Sequence, residues 1–399
     1  MVSVREASDI IFSNPYHPSI ETIPIQDVAN RVLGEKITAD RAFPPFDRVA
    51  MDGIAIDFQK FKNGQHEFSV EFTQAAGSPE KKLQSPNNCV EVMTGAVLPV
   101  GTDTVIRYED LEIKDKVARI LSAPVEEGQN ISRKGIDCQQ GDELLGPGML
   151  LSPSEVALLA SVGKANVQVF SLPRTAIISS GDELVDIKDV PLPHQIRRSN
   201  TYAIEAGMHP LKWNAQHFHF PDDKSVLLKS LEKVLNDHDV LILSGGVSKG
   251  KFDFIPEVFE ELGVKKLFHH VNQRPGKPFW FGKSREGKTV FALPGNPVST
   301  YMCFYRYIKP WILKSLRVET SALTAALAKD FSFGPNLTYF LQVKVETESG
   351  KLLAFPDPGG GSGDFVNLKN VTGFLELPSE RSTFSAGEVF PYFPFRNSL

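Results

Sequence analysis

Two spacings of apolar residues divide the chain. Between about 53 and 125 the text consists of short runs, GIAIDF, EFSVEF, CVEVMTG, DTVIRYEDLEI and VARILSA, broken by Gly, Pro and Asn. Strand-forming residues punctuated in this way predict a small β domain. From about 173 the spacing changes. The segments 174–180 (RTAIISS), 239–243 (DVLIL) and 289–293 (TVFAL) are apolar without alternation, as in strands covered on both faces. A further strand is expected at 213–220. Helices are expected at 200–206, at 222–235 with Asp222 or Asp223 as cap, at 253–262 closed by Gly263, and from 298 onward, where Pro310 should kink the helix. Strands alternating with helices predict βαβ units and a mainly parallel sheet. After about 320 the β pattern returns (TYFLQVKVETESGKLLAF, FLELP, EVFPYF). At the amino end, 3–14 and 24–33 read as short helices. The second is carried by Ile25, Val28, Ala29, Val32 and Leu33 and stopped by Gly34. A break follows at Phe43-Pro44-Pro45-Phe46. One more helix opens at Ser152-Pro153-Ser154-Glu155, with Ser152 as N-cap, Pro153 at the first position and Glu155 closing a capping box.

Length and composition narrow the class. At about 100–200 residues per domain, 399 residues suggest two to four domains. Lys plus Arg total 43 and Asp plus Glu 48, a net charge of −5. A dedicated nucleic-acid binder would carry a basic excess, so no nucleic-acid partner is expected. No run approaches the ~18–20 uncharged apolar residues of a membrane span, and the first residues lack the apolar core of a signal peptide. No membrane association is expected, and a cytoplasmic location is. The three cysteines, Cys89, Cys138 and Cys303, form no CxxC pair, which argues against a disulfide framework or a cysteine zinc site.

In an open parallel sheet, ligands bind beyond the carboxyl ends of the strands. Three of these ends carry polar or glycine-rich loops: Ser179-Ser180-Gly181-Asp182-Glu183, Ser244-Gly245-Gly246-Val247-Ser248 and Pro294-Gly295-Asn296-Pro297. Glycines there let backbone N–H groups approach an anion, and Ser244 and Ser248 add hydroxyls. The same loops also read as tight strand-to-helix turns, and Asn296-Pro297 as a plain helix start. Gln273-Arg274-Pro275-Gly276-Lys277-Pro278 holds two cations on a proline-fixed turn, suited to a phosphate or simply a solvated hairpin tip. Acids sit at loop positions: Asp47, Asp52, Asp137, Asp182, Glu183, Asp222, Asp223 and Asp253. Asp222, Asp223 and Asp253 are also natural helix caps. Carboxylates beside phosphate-binding cations suggest Mg²⁺, which commonly takes one or two carboxylates plus substrate phosphate oxygens. No zinc ligand set, GxSxG motif or P-loop is present in the sequence.

Taken in order, these motifs are far more specific than any one alone. Pro44-Pro45-Phe46-Asp47 with Ala50-Met51-Asp52-Gly53, Met93-Thr94-Gly95, Gly181-Asp182-Glu183-Leu184, Ser244-Gly245-Gly246-Val247-Ser248, Pro275-Gly276-Lys277-Pro278, Leu293-Pro294-Gly295-Asn296-Pro297-Val298 and Gly361-Ser362-Gly363 run through the whole chain. The chain resembles the molybdopterin molybdenumtransferase family (MoeA-type), which includes the catalytic carboxyl-terminal part of gephyrin. The resemblance implies an α/β plus β, multidomain fold with four domains. These are an elongated amino-terminal helical and strand domain (1–45 and 134–172), an inserted β domain (46–133), a central α/β molybdopterin-binding domain with a parallel sheet (173–318), and a barrel-like β domain (319–399). It implies a homodimer whose site is shared between subunits, and contact with other proteins of molybdenum cofactor biosynthesis. The implied substrates are adenylylated molybdopterin and molybdate, with Mg²⁺ as cofactor and AMP as leaving product.

Residue by residue, the resemblance makes Asp52, Asp137, Glu183, Asp223 and Asp253 catalytic, with Asp182, Glu183 and Asp253 as metal ligands. Thr94, Ser180, Gly181, Asp182, Ser244, Gly245, Gly246, Ser248, Arg274, Lys277, Pro294, Gly295, Asn296 and Pro297 would bind substrate. The chain departs from the family pattern at Ser180 (usually Thr), at Arg274 (often Lys), at Arg198-Ser199-Asn200 (a cation where the family has an acid) and at Asn367 (usually Ser). Two rival functions share features of the sequence. One is a molybdopterin adenylyltransferase, which has the α/β domain but not PPFDRVAMDG or the carboxyl-terminal β domain. The other is a dimeric scaffold without catalysis, against which the retained acids and Lys277 argue.

Overall fold

The computed structural model describes residues 1–121, 124–247 and 253–396. Of the expected site residues, Ser248 lies outside them. The chain divides into two compact units, one of residues 1–35, 147–156 and 166–399, the other of 36–146 and 157–165.

The second unit is built on a six-stranded sheet. Its strands run in the order Thr104–Arg107, Gly53–Ile56, Asn88–Val92, Glu67–Gln74, Val117–Ile120, Leu111–Lys114. Every adjacent pair is antiparallel except Glu67–Gln74 with Asn88–Val92. Each of the five runs read as strands in the sequence contains a strand, and the run 103–113 contains two, Thr104–Arg107 and Leu111–Lys114, separated by the 3₁₀ turn Tyr108–Asp110. Successive side chains of Gly53–Ile56 enter opposite cores. Ile54 and Ile56 pack with Phe68, Ile106 and Ala118, while Ala55 packs with Val90, Val92 and Val105.

The first unit contains the α/β sheet, ordered Ala215–Phe220, Thr175–Ser180, Val240–Ser244, Thr289–Leu293, Trp280–Lys283, Lys265–His269. The first four strands are parallel, Trp280–Lys283 runs antiparallel to both of its neighbours, and Lys265–His269 again runs in the direction of the first four. The unbroken apolar runs have the expected cause. Ile177, Ile242 and Phe291 face a core shared with Ile204, Met302 and Trp311. Ala176, Ile178, Leu241, Leu243 and Val290 face the opposite core, against Leu227, Leu231, Val258 and Phe259. Helices Asn200–Met208 and Pro297–Cys303 therefore cover one face, and Lys224–Asp237 and Ile255–Glu261 the other. The carboxyl-terminal strands close on themselves. Thr338–Glu348, Lys351–Pro356, Thr324–Leu327, Val389–Pro394 and Gly373–Leu377 pair in that order, and the last pairs back with the first.

Three expectations change. Segment 24–33 is not a helix: only a 3₁₀ turn, Ile25–Asp27, forms. Asn30 takes a left-handed conformation (φ 64°), which ends any helical run, and its N–H donates to the Leu151 carbonyl at 2.7 Å. Val32 and Leu33 instead form isolated bridges with Leu150 and Val169. Pro310 does not simply kink its helix. Pro297–Cys303 passes into a π-helical stretch, Phe304–Ile308, and resumes as Lys309–Ser315. Without an N–H, Pro310 cannot bond the preceding turn, and Lys309 N–H reaches back five residues to Phe304. Finally, Phe254 rather than Asp253 occupies the capping position of Ile255–Glu261. The helix Pro153–Ser161 opens as expected: Glu155 accepts from the Ser152 N–H at 2.8 Å, and the Ser152 hydroxyl accepts from the Ser154 N–H at 3.3 Å. No helix among the described residues is long and apolar enough to cross a membrane.

Candidate functional site

The carboxyl ends of Thr175–Ser180, Val240–Ser244 and Thr289–Leu293 meet around a cavity of about 250 Å³. Its lining brings together seven predicted residues, Ser180, Glu183, Ser244, Gly245, Gly295, Asn296 and Pro297. Ser179, Leu184, Ile196, Arg197, Arg198, Ser199, Asn200 and Thr201 complete it.

Glycine is required at two of these turns. Gly245 has φ +102°, and a Cβ there would lie 2.8 Å from the Ser180 carbonyl oxygen, so the two strand ends approach as closely as backbone allows. Gly181 has φ +147°, which strains any residue with a side chain, and a Cβ there would lie 2.6 Å from the mobile end of the Glu183 carboxylate. The missing side chain lets that exposed carboxylate fold back over the strand end. The loop is not a simple nest of free N–H groups, because Gly245 N–H is already donated to the Leu293 carbonyl at 3.2 Å.

The floor is a hydrogen-bonded lattice centred on Asn200, at the first position of Asn200–Met208. Its amide donates to Ser244 Oγ and to the Gly295 carbonyl, each at 2.8 Å. Thr300 Oγ1 donates to the Pro294 carbonyl. These bonds lock the Ser244-Gly245 and Pro294-Gly295-Asn296 loops together. Asn296 holds the N-cap position of its helix, but its side chain does not cap. It donates instead to Ser362 Oγ at 2.8 Å, tying the helix start to the glycine-rich loop of the barrel. Sequence reasoning placed Asn200 only at a helix start and read its neighbourhood as a departure.

The first strand end is also acidic. Ser180 Oγ donates to Asp222, and Asp182 Oδ1 accepts the Asp222 N–H at 3.3 Å. Ser179 Oγ bonds His219 Nδ1 at 3.0 Å. Burial and then the nearby Arg198 hold the His219 imidazole below its ordinary pKa. Asp223 caps Lys224–Asp237. Its carboxylate accepts from the Ser225 hydroxyl at 2.6 Å and the Val226 N–H at 3.0 Å, and both lower its pKa. Asp253 is half-buried just before Ile255–Glu261.

Arg274 lines a neighbouring cavity of about 220 Å³, together with Pro275, Tyr339, Gln342 and the loop Pro358-Gly359-Gly360-Gly361-Ser362. Its guanidinium lies 5.6 Å from the Phe333 ring centre. The turn carrying Arg274 and Lys277 is pinned from inside. Buried Gln273 donates to the Gly276 carbonyl at 2.9 Å and accepts from the Tyr307 hydroxyl at 2.5 Å. Asn367, one of the departures, is buried and donates to the Asp357 carbonyl at 2.8 Å, which fixes the same glycine-rich loop.

Asp52, Thr94 and Asp137 belong to the second unit. Asp52 Oδ1 accepts from both the Thr94 N–H, at 2.6 Å, and the Thr94 hydroxyl, at 2.7 Å. The backbone bond and then the hydroxyl hold the Asp52 carboxyl below its ordinary pKa. Asp137 is exposed in that unit, its N–H bonded to the Phe43 carbonyl at 3.0 Å. Among the described residues no three His, Cys, Asp or Glu side chains converge as a metal site.

Three family models match the chain in order. The MoeA N-terminal region (domain I and II) matches residues 2–163, a probable molybdopterin binding domain 176–314, and the MoeA C-terminal region (domain IV) 324–395. A molybdopterin molybdenumtransferase of Synechocystis sp. is 40% identical over 397 residues, covering 98% of this chain and all of the relative. One of Bacillus subtilis is 34% identical, covering 92% of this chain and 88% of the relative. A crystal structure of a Pyrococcus molybdopterin biosynthesis MoeA protein superposes with a TM-score of 0.82 at 30% identity over the whole of both chains.

Proposed function

The chain belongs to the MoeA family of molybdopterin molybdenumtransferases, and on that premise we propose that it inserts molybdenum from molybdate into adenylylated molybdopterin, releasing AMP. The observation that carries the proposal is the cavity at the strand ends, where Gly245 and Gly295 let the strand-end loops pack closely and Glu183 forms part of the wall. A ligand with phosphate groups fits a site at the carboxyl ends of parallel strands. Ser180, Ser244 and the Asn200 lattice orient it, and Pro294 and Pro297 hold the loop shape. Arg274 and Lys277, on their pinned turn, supply positive charge for oxyanions in the adjoining cavity.

The donor set fits Mg²⁺ as cofactor. Asp182 and Glu183 are exposed carboxylates at one strand end, and Mg²⁺ needs only one or two such ligands when substrate phosphate supplies the others; Asp253 does not join them in a three-ligand cluster. The ion would neutralise charge on the phosphoanhydride as AMP leaves. Four domains with the boundaries of the sequence reading, a cytoplasmic homodimer, and a site completed by Asp52, Thr94 and Asp137 of the partner subunit belong to the same proposal. So does handover of substrate and product among other cofactor-biosynthesis proteins.

Incubation of the purified chain with adenylylated molybdopterin, molybdate and Mg²⁺ tests it. AMP release coupled to formation of active cofactor is expected. Failure to release AMP, or adenylylation of molybdopterin from ATP instead, would remove the proposal.

A further inference from the structure

The cavity donors are mostly engaged with the protein itself. Ser180 Oγ donates to Asp222, the Asn200 amide to Ser244 and Gly295, and Gly245 N–H to Leu293. Arg198 differs. Its side chain is about four-fifths buried, and one Nη pairs with Asp186, yet its buried Nε–H has no hydrogen-bond acceptor. A buried donor left in that state is costly, and a guanidinium is suited to phosphate oxygens. The group is held in place before any ligand arrives. The Arg198 N–H donates to the Val185 carbonyl at 3.0 Å, extending the pairing of Leu184–Val185 with Ile196–Arg197, and Asp186 anchors the far end. Arg198 forms part of the wall of the 250 Å³ cavity and also of a second one of about 270 Å³ bounded by Asp186, Glu205 and His217.

We propose that Arg198 is a specificity-setting contact of this site, its guanidinium donating to an oxygen of the phosphoryl group on the nucleotide portion of the substrate. The inference rests on the function proposed above. It predicts that the chain recognises the phosphate of AMP through the Arg198 cation.

The test is equilibrium binding of AMP and of adenosine to the full-length protein and to two variants. Arg198→Gln should weaken AMP about ten- to a hundredfold, the range of one buried hydrogen bond to a charged group, and leave adenosine unchanged. Asp186→Asn keeps the guanidinium but loosens its anchor, so it should weaken AMP by less than Arg198→Gln does and leave adenosine unchanged. Equal losses for AMP and adenosine, or equal losses from both variants, would make Arg198 a structural anchor of segment 184–198 and overturn the proposal. Unchanged AMP affinity in Arg198→Gln would overturn it too, with a water satisfying Nε. The AMP-release assay on wild type separates the two levels. A wild type that releases AMP while Arg198→Gln binds AMP normally sinks only the role of Arg198. A wild type that neither binds nor releases AMP sinks the function together with it.

Discussion

At the scale of single residues, Gly245 and Asp239 show how backbone room and charge pairing build the site and its support. A Cβ at Gly245 meets a backbone carbonyl rather than a flexible side chain, so the strand ends must separate to admit it. Gly245→Ala should cost about 1–3 kcal/mol in unfolding experiments and reduce AMP release more than it reduces stability, because the displaced atoms line the cavity. A variant with wild-type melting and turnover would show that the close approach is not needed. Asp239 lies at the opposite end of the same strand. Its partial burial raises the carboxyl pKa, but hydrogen bonds from Arg174 and the charge of Lys288 outweigh it, and the net shift is downward. A carboxylate depressed in the folded state stabilises the fold above its unfolded pKa, and that contribution disappears as the pH falls through the folded value. Asp239→Asn should therefore melt below wild type at pH 7, with the gap narrowing below about pH 4. A gap independent of pH would assign the effect to packing.

At the scale of elements, the turn holding Arg274 and Lys277 depends on a helix distant in sequence. Tyr307 lies in the π-helical stretch, and its hydroxyl donates to the Gln273 side-chain oxygen, with both residues fully buried. Tyr307→Phe leaves that oxygen unpaired. It should destabilise the chain by about 1–3 kcal/mol and weaken molybdate use, read as a rise in the molybdate KM. A stability loss without any KM change would confine the bond to packing. This coupling was invisible in the sequence, because periodicity places Tyr307 inside a helix but does not say that Pro310 opens the preceding turn into a π-helix. Much else at this scale was legible. Apolar runs without alternation fixed the parallel strands, since both faces are buried, and the Gly, Pro and Asn punctuation marked the strands of 53–120. The error at 24–33 came from helical spacing that serves isolated bridges instead, with a left-handed Asn30 between them. In the site, strand-end glycines and serines could be read ahead of the structure. Asn200 and Arg198 could not, because their roles arise from loops that meet only in three dimensions.

At the scale of the whole molecule, the predicted functional residues fall into two units of one chain. Glu183, Ser244, Gly245 and Asn296 belong to the unit holding the α/β sheet and barrel, and Asp52, Thr94 and Asp137 to the unit holding the six-stranded β sheet. A site that needs both sets can be assembled within one chain or between two. The proposed shared site separates these cases. When a subunit carrying Asp52→Ala is mixed and re-equilibrated with one carrying Glu183→Ala, half of the dimers become heterodimers. In each heterodimer one site receives both native residues and the other receives neither. Two individually inactive variants should then regain about a quarter of wild-type AMP release, as a two-fold symmetric dimer with shared sites requires. Sites contained within single subunits would leave the mixture as inactive as its components, because every chain would still carry one defect. Size-exclusion of both variants at the wild-type elution position makes the comparison one of sites rather than of assembly.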